Sequence, residues 1–560
     1  MDCLTLKNRL DVLRTERSTI EGIWELIEQF VVPFRAKFFT DDRGYEGSMN
    51  WRRRELYDST AVDANQNLSS NLQSGLTNPA YRWFSLIFRD KTLMKDRTAV
   101  NWLEESANRV FLALQESNFD LEVNETFLDL TSFGTSILTE EVEETNGEFT
   151  NLIFSSIPLS QGWYEFNHLN AVWYFYRQLQ WTAAQIKSKW PETTLPDKVQ
   201  DKLDNKKDPG DKFSVIYAVF PREDKIGVDV GNVIAPLERP FGFKYFMYED
   251  AEIIGEEGGY YEMPAFVPRW RKTAGSTYGH SPAMVVLSDI LTLNQLVEMI
   301  LKANEKAIDP PVLTTRRGVF GDIDLTAGGA TVVATLESIK AFESQARFDV
   351  GALTKEDLQT SIRKAFFEDQ LQLKESPQMT ATEVQTRFEM MARLIGPSLG
   401  RIQNDLHSPL VSKTFNALFR YKRLPEPPPA VTERQAQIDI EFIGPMARAQ
   451  KMDKVTNIER WVANLAQLSE VLPEILDNVD SDAAATETAH YLTVPPEVVR
   501  TKAAILKIRK DRAAKIEAQE KMAMATQGSE MVKNLGAAGG GGNGGGLEDV
   551  LGGAGEQTPV

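Results

Sequence analysis

The sequence predicts an α+β protein in which helices predominate, and three observations carry that reading. Apolar residues recur at three- and four-residue steps over much of the chain, the period of helices that bury one face. Two stretches, Ile137 to Tyr176 and Phe213 to Val267, change to short alternating runs of β-branched and aromatic residues, the texture of strands. The 560 residues are 42% hydrophobic and 25% charged, a globular composition on a chain long enough for several layered substructures.

Taken in order, Leu10, Leu13, Ile20, Ile23, Trp24, Ile27 and Phe30 form the buried stripe of a first helix. A loop with Gly44 and Gly47 follows. A second helix is expected from Ala61 to Gln73, with Asp58 and Ser59 as caps and Gly75 and Pro79 bounding its end. In the β-rich part, Phe213, Val215, Tyr217 and Val219 alternate with less apolar residues, and Phe241 to Met247 and Tyr260 to Phe266 look similar. Between them Trp181 to Trp190 reads as a helix and Asp201 to Lys212 as a charged loop.

Pro282 to Ile308 reads as a long helix that is apolar nearly all round, so it needs cover on several sides. Asp309-Pro310-Pro311 stops it, because proline lacks the N–H and restrains its predecessor. A compact segment with strand-like Val332-Val333 and several glycines follows. A second helix then runs from Thr354 to about Leu373 on Leu358, Ile362, Phe366 and Phe367. The unit is a helical hairpin with a small β knob. Thr380 to Glu383 has the form of a capping box opening a further helix, perturbed at Gly396-Pro397. Another helix spans Leu410 to Tyr421, and Pro425, Pro427, Pro428 and Pro429 make a stiff extended connector. Pro445 to about Met531 reads as mostly helical with a break at Pro473, and the glycine-rich run Gly536 to Gly555 cannot pack a core.

Chemistry is sparse. Cys3 is the one cysteine, with no second thiol or histidine at ligand spacing, which fits a reducing place of assembly; no metal or cofactor is expected. The start has no secretory pattern, and Ala283 to Ala303 is interrupted by Asp289, Asn294, Gln295 and Glu298, so no membrane span is expected. Neither a phosphate-binding glycine loop nor a Gly-x-Ser-x-Gly elbow occurs. His168, His280, His407 and His490 are far apart and read as surface or capping residues. The carboxylate pairs Glu140-Glu141, Glu223-Asp224 and Asp322 with Asp324 read as solvated charge, a facing pair for glycoside hydrolysis being the alternative. The net charge of -18 argues against a protein that grips nucleic acid tightly. Basic clusters stand at Arg52-Arg53-Arg54, Arg316-Arg317 and in the series Lys502, Lys507, Arg509, Lys510, Arg512 and Lys515. Each can touch phosphate, although for the first the favoured reading is pairing with acids of a neighbouring chain.

Several blocks carry a family resemblance. Asp58-Ser59-Thr60-Ala61, Leu68 to Leu72, Gly75 to Pro79 and Arg82-Trp83-Phe84 resemble the N-terminal signature of the head-to-tail connecting (portal) proteins of podoviruses. Ser117-Asn118-Phe119, Phe133-Gly134-Thr135, Tyr278 to Pro282 and Met379 to Val384 resemble later blocks, over residues 5 to 425 in all. The resemblance implies a portal-type subunit: a wing of residues 1–283, a stem of helices 284–308 and 354–373, and a clip of 309–353. Residues 374–445 add a channel loop, a long helix and the rest of the wing, 446–531 a helical crown, and 532–560 a disordered glycine-rich tail.

It also implies a non-enzymatic ring of copies, usually a dodecamer, at a capsid vertex of the virion, assembled in the host cytoplasm. The implied partners are capsid and scaffolding protein, terminase during packaging, tail adaptor or nozzle proteins, internal core or ejection proteins, and double-stranded DNA in the channel, with no membrane. Leu287, Ile290, Leu293, Val297, Ile300, Leu358, Ile362 and Phe366 are then expected to pack stems of adjacent subunits. By placement Lys374, Arg316 and Arg317 are expected to touch DNA, an ordinary exposed loop lysine being the alternative for Lys374. Two other classes compete: a virion-associated hydrolase using Asp224 or Asp322, and a dedicated DNA-binding protein, which the acidic balance disfavours.

Overall fold

The computed structural model describes residues 1–35, 56–90, 92–145, 148–205, 210–225, 233–308, 312–314, 339–341, 348–368, 395–434, 437–443, 445–468, 479–491, 500 and 504–519. The chain divides into two compact units, residues 1–453 and 454–560.

The first unit opens with helix α1 (Cys3–Phe30), capped where Asp2 accepts the Thr5 N–H at 3.0 Å. Its 28 residues serve two cores. Leu6, Leu10 and Leu13 cover one face of a sheet, and Trp24 and Ile27 enter the main core. Ile23, expected inside, is exposed because it sits on the flank of that stripe. Helix α2 (Thr60–Leu76) is buried along Ala61, Ala64, Leu68 and Leu72 and extends past Gly75, one turn beyond the sequence expectation. Strand β1 (Phe84–Phe88), helix α3 (Arg97–Glu116) and helix α4 (Phe119–Phe133) follow.

The β-rich part holds two sheets. Strands β2 (Leu138–Thr145) and β3 (Glu148–Ser156) pair antiparallel. A meander of β4 (Gly162–Phe166), β5 (Val172–Thr182), β6 (Lys212–Pro221), β7 (Phe241–Met247) and β8 (Ile253–Tyr260) makes a five-stranded antiparallel sheet in chain order. Short β9 (Ala265–Phe266) joins β2. Central β6 departs from the expected alternation, since it is buried on both faces: Ile216, Ala218 and Phe220 lie under α1, while Tyr217 and Val219 face the main core.

The expected helix at Trp181 begins only at Ala183 (α5, Ala183–Lys189), where Thr182 and Gln185 form a reciprocal capping box. The expected charged loop from Asp201 is in its first part the helix α6 (Asp197–Asn205). Lacking a broad apolar stripe, that helix gives little periodic signal.

After a short α7 (Pro282–Val285), helix α8 (Leu287–Ile308) is followed by strands β10 (Val312–Thr314) and β11 (Ile339–Ala341) and by helix α9 (Phe348–Ala365). The strands pair antiparallel, Val312 opposite Ala341, so the ends of the intervening segment meet. This is the predicted helix–β–helix unit in its described parts, with α9 starting six residues before the expected Thr354. Val332-Val333 and the 380–383 box lie outside the described residues. The chain is again helical over 395–402, passes through a π-helical turn at Gln403–His407 and continues as α10 (Ser408–Arg420). The proline connector is extended only to Pro428, because Pro429 starts a short helix, α11 (Pro429–Glu433). Strand β12 (Ile438–Phe442) then pairs antiparallel with β1, Phe84 opposite Phe442. Helix α12 (Pro445–Leu468) completes the elements that begin in this unit.

The second unit holds the end of α12, helix α13 (Ser481–Tyr491) and a helix over 504–519. Pro473 and the glycine-rich run lie outside the described residues. Among the described residues no helix is long and apolar enough to cross a membrane.

Candidate functional site

The helix pair α8 and α9 is the region whose chemistry is left incomplete by its own chain. Its base is heavily anchored. Asp58, at the head of α2, accepts the Thr60 N–H with one carboxylate oxygen at 2.9 Å and the Gln359 amide of α9 with the other at 2.8 Å. The Tyr57 N–H donates to Asn294 of α8 at 2.7 Å, and the Asn67 amide donates to Glu368 at 3.0 Å. Ser361 donates to Asp289 at 2.9 Å, pinning α9 to α8. Ile290, Leu293 and Val297 of α8, with Val286 just ahead of it, are buried at helical spacing, and Ile362 of α9 and Phe366 just past its end are fully covered.

Past Val297 the cover thins: Met299, Leu301 and Ile308 of α8 are at least half exposed, Ile308 at 85%, as are Leu353 of α9 and, ahead of α8, Val285. The expected stem-packing residues therefore divide. Ile290, Leu293, Val297, Ile362 and Phe366 are buried within the single chain, whereas Leu287, Ile300 and Leu358 are half-buried. Leu301 and Ile308 continue the stripe that Ile290, Leu293 and Val297 bury, whereas the opposite side of the helix carries Ser288, Thr292, Gln295, Met299 and Lys302. Sequence periodicity misses this division because it gives the apolar stripe without saying how much of its length the protomer covers.

The lead-in to α7 is a close backbone crossing between two blocks that sequence had singled out. Gly134 ends α4 at φ +76°, and a Cβ there would lie 2.5 Å from the Gly279 carbonyl oxygen. The Gly279 N–H donates to Thr135 at 2.8 Å, and the Trp270 N–H to the Gly134 carbonyl at 2.9 Å. Tyr278 packs edge-on to Trp24 at 5.0 Å. Ser281 caps α7 by accepting the Met284 N–H. In the Ser117-Asn118-Phe119 block, the Asn118 side chain clamps Phe154 of β3 through both of its backbone groups at 2.8 Å.

Two buried polar groups hold α10 and its π-turn. Contrary to the surface reading, His407 is buried in an aromatic cage of Trp83, Phe127 and Phe442, with ring centroids at 5.1, 6.2 and 5.9 Å. Burial pushes its imidazole down to about 3, and its Nε2 has no hydrogen-bond partner. His168 and His280 are exposed. Glu140 is also buried, not solvated: it accepts the Thr414 hydroxyl at 3.0 Å, and Lys413 donates to its backbone carbonyl. Burial raises the Glu140 carboxyl to about 7 and lowers the Lys413 ammonium.

Glu140 and Glu141 cannot act as a facing pair. Glu140 engages α10, while Glu141, next along β2, accepts from the Tyr217 and Tyr260 hydroxyls at 3.3 and 3.1 Å. The cavity that Glu140 lines holds about 60 Å³, far below the roughly 300 Å³ at which ligand pockets begin. Glu223 and Asp224 are exposed on a single turn. Among the described residues no cluster of three or more metal-ligating groups occurs. Asp322, Asp324, Arg52 to Arg54, Lys374, Arg316 and Arg317 lie outside the described residues.

Comparison with known proteins agrees with these motifs. Residues 4–499 match the family described as bacteriophage head to tail connecting protein, a longer span than the 5–425 over which the blocks are legible. The probable portal protein of Bordetella phage BPP-1 is 29% identical over 555 residues, covering 95% of each chain. The portal protein of Salmonella phage epsilon15 is 25% identical over 543 residues, covering 95% of this chain and 94% of its own. That of Enterobacteria phage T3 is 26% identical over 227 residues, covering 39% and 42%. By the match over residues 4–499, the chain belongs to the bacteriophage head to tail connecting protein family.

Proposed function

We propose that this chain is a portal subunit whose copies close into a dodecameric ring at one vertex of a phage capsid. The observation that carries the reading is the uncovered apolar surface on α8 and α9. Burying a Leu or Ile side chain contributes about 1.5–3 kcal/mol, and Met299, Leu301, Ile308 and Leu353 are large apolar groups that α8 and α9 leave in water, as Leu121 and Leu169 are elsewhere. Repeated head-to-tail contact of that surface with a neighbouring copy, together with Leu287, Ile300 and Leu358, covers it, and heterologous contacts that close produce a ring with an axial opening.

In this reading residues 1–283 are the wing, 284–308 and 354–373 the stem, 309–353 the clip and 374–445 the channel loop, long helix and remaining wing. Residues 446–531 form the crown, and 532–560 a disordered tail. The ring conducts double-stranded DNA during packaging and ejection, with Lys374, Arg316 and Arg317 touching it. The clip receives the terminase motor and later the tail adaptor or nozzle proteins, and the rest of the ring meets capsid, scaffolding and internal core proteins. Its place is the head–tail junction of the virion after assembly in the host cytoplasm, and it performs no catalysis of its own. Native mass spectrometry and negative-stain imaging of concentrated protein test this. A closed ring with a central hole is the expected result, and a persistent monomer at high micromolar concentration refutes it.

A further inference from the structure

The helix over 504–519 in the second unit carries a local charge opposite to that of the whole chain. Its 16 residues include five basic side chains, Lys507, Arg509, Lys510, Arg512 and Lys515, against Asp511 and Glu517, in a protein of net charge -18. Every residue from Leu506 to Gln519 is exposed. Arg509 is occupied by a two-bond pair to Asp482 of α13, at 2.8 and 2.5 Å. Lys507, Lys510, Arg512 and Lys515 make no ion pair among the described residues.

We infer that this helix is a binding element for duplex DNA, engaging phosphates of the backbone without reading sequence. At about 100° per residue, the four uncommitted cations spread over more than half of the helix circumference rather than forming one narrow stripe. An α-helix of about 10–12 Å diameter fits the roughly 12 Å major groove, and cations on both flanks then face phosphates of both strands. The remaining exposed positions are mostly Ala, Ile and Leu, which offer no hydrogen bonds to base edges, so affinity without sequence preference is expected. A bilayer surface fits less well. Leu506, Ile508 and Ile516 alternate around the helix with the cations, so no apolar half exists to enter the headgroup boundary. The inference rests on the portal reading only for where duplex DNA would be met.

The test is binding of the full-length protein to a labelled 30-base-pair duplex of random sequence, followed by fluorescence anisotropy across a KCl series. Four released counterions per copy give a log–log salt slope of at least about −3.6, so affinity falls by about 150-fold between 50 and 200 mM. Lys507→Gln, which keeps helix propensity, should reduce the slope by about 0.9. The combined Lys507→Gln, Lys510→Gln, Arg512→Gln and Lys515→Gln variant should lose binding at 50 mM. Asp482→Asn frees Arg509 and should steepen the slope by about 0.9.

Unchanged affinity and slope in the fourfold variant overturn the inference. So does tighter binding to polyglutamate than to the duplex, or binding to phosphatidylserine vesicles that the fourfold variant loses while duplex binding persists. Native mass measurement of the same variant separates the two ideas: a ring without DNA affinity sinks this inference alone. A monomer that still shows the salt slope sinks the portal reading instead.

Discussion

The base of the α8–α9 pair and its distal half are parts of the same two helices, yet they obey different rules. At the base the chain completes itself: Ile362 and Phe366 are fully covered, Asp58 uses both oxygens, and the Gly134–Gly279 crossing leaves no room for a Cβ. Toward the far end, Met299, Leu301 and Ile308 remain in water. The same apolar residue type is thus a folding determinant at one end and is left exposed at the other. In the proposed ring, that exposed part is what a second copy would cover.

The comparison breaks most readily at Phe366. Phe366→Ala should destabilise the isolated chain by about 3–5 kcal/mol, seen as a large drop in the main thermal transition. Gly134→Ala places a Cβ against the Gly279 carbonyl at positive φ and should cost about 3 kcal/mol or abolish soluble protein. Leu301→Ser with Ile308→Ser sharpens the contrast in the opposite direction. Stability of the lone chain should stay within about 0.5 kcal/mol, while ring yield by native mass spectrometry falls, with about 1.5–3 kcal/mol lost per covered side chain at every interface. Equal loss of monomer stability in the two sets would erase the distinction.

His407 gives a pH test of the completed region. Its folded value near 3 lies below the ordinary 6.5, so the unfolded chain binds the extra proton between those limits. Its stabilisation is complete above pH 6.5 and declines as pH falls, by up to about 1.4 kcal/mol per pH unit. Glu140 has the opposite sign: its value near 7 lies above the ordinary 4.5, so its contribution is complete below pH 4.5 and declines as pH rises through 7. In thermal melts across pH 4–7, His407→Leu should flatten the acid limb. An unchanged acid limb would show that His407 is not held neutral. Ser361→Ala, which removes one exposed bond to Asp289, should cost under about 1 kcal/mol.

Much of this architecture is legible in sequence where the signal is local. Phe241 to Met247 is a strand over that span, and the α7–α8 segment ends at Ile308 as its prolines require. What escapes is non-local or two-sided. Strand β1 goes unassigned in the sequence, because its partner, β12, lies some 350 residues away. Double burial of β6 blurs a pattern that assumes one wet face. His407 carries no flanking signal, since its cage of Trp83, Phe127 and Phe442 comes from three distant segments. For the candidate site, periodicity supplied the apolar positions, but only packing divided Ile290 from Leu301.

The pairing of β1 with β12, locked at its end by Arg89 on Asp439, sets a timetable for biosynthesis. At roughly 5–20 residues per second, the ribosome needs about 20–70 s after making Phe88 before Ile438 exists. Throughout that interval Phe84 to Phe88 is an unpaired apolar edge on a nascent polypeptide, open to mispairing with other chains. Slowed translation between the two segments should therefore raise the aggregated fraction, and a chaperone that shields strand edges should lower it.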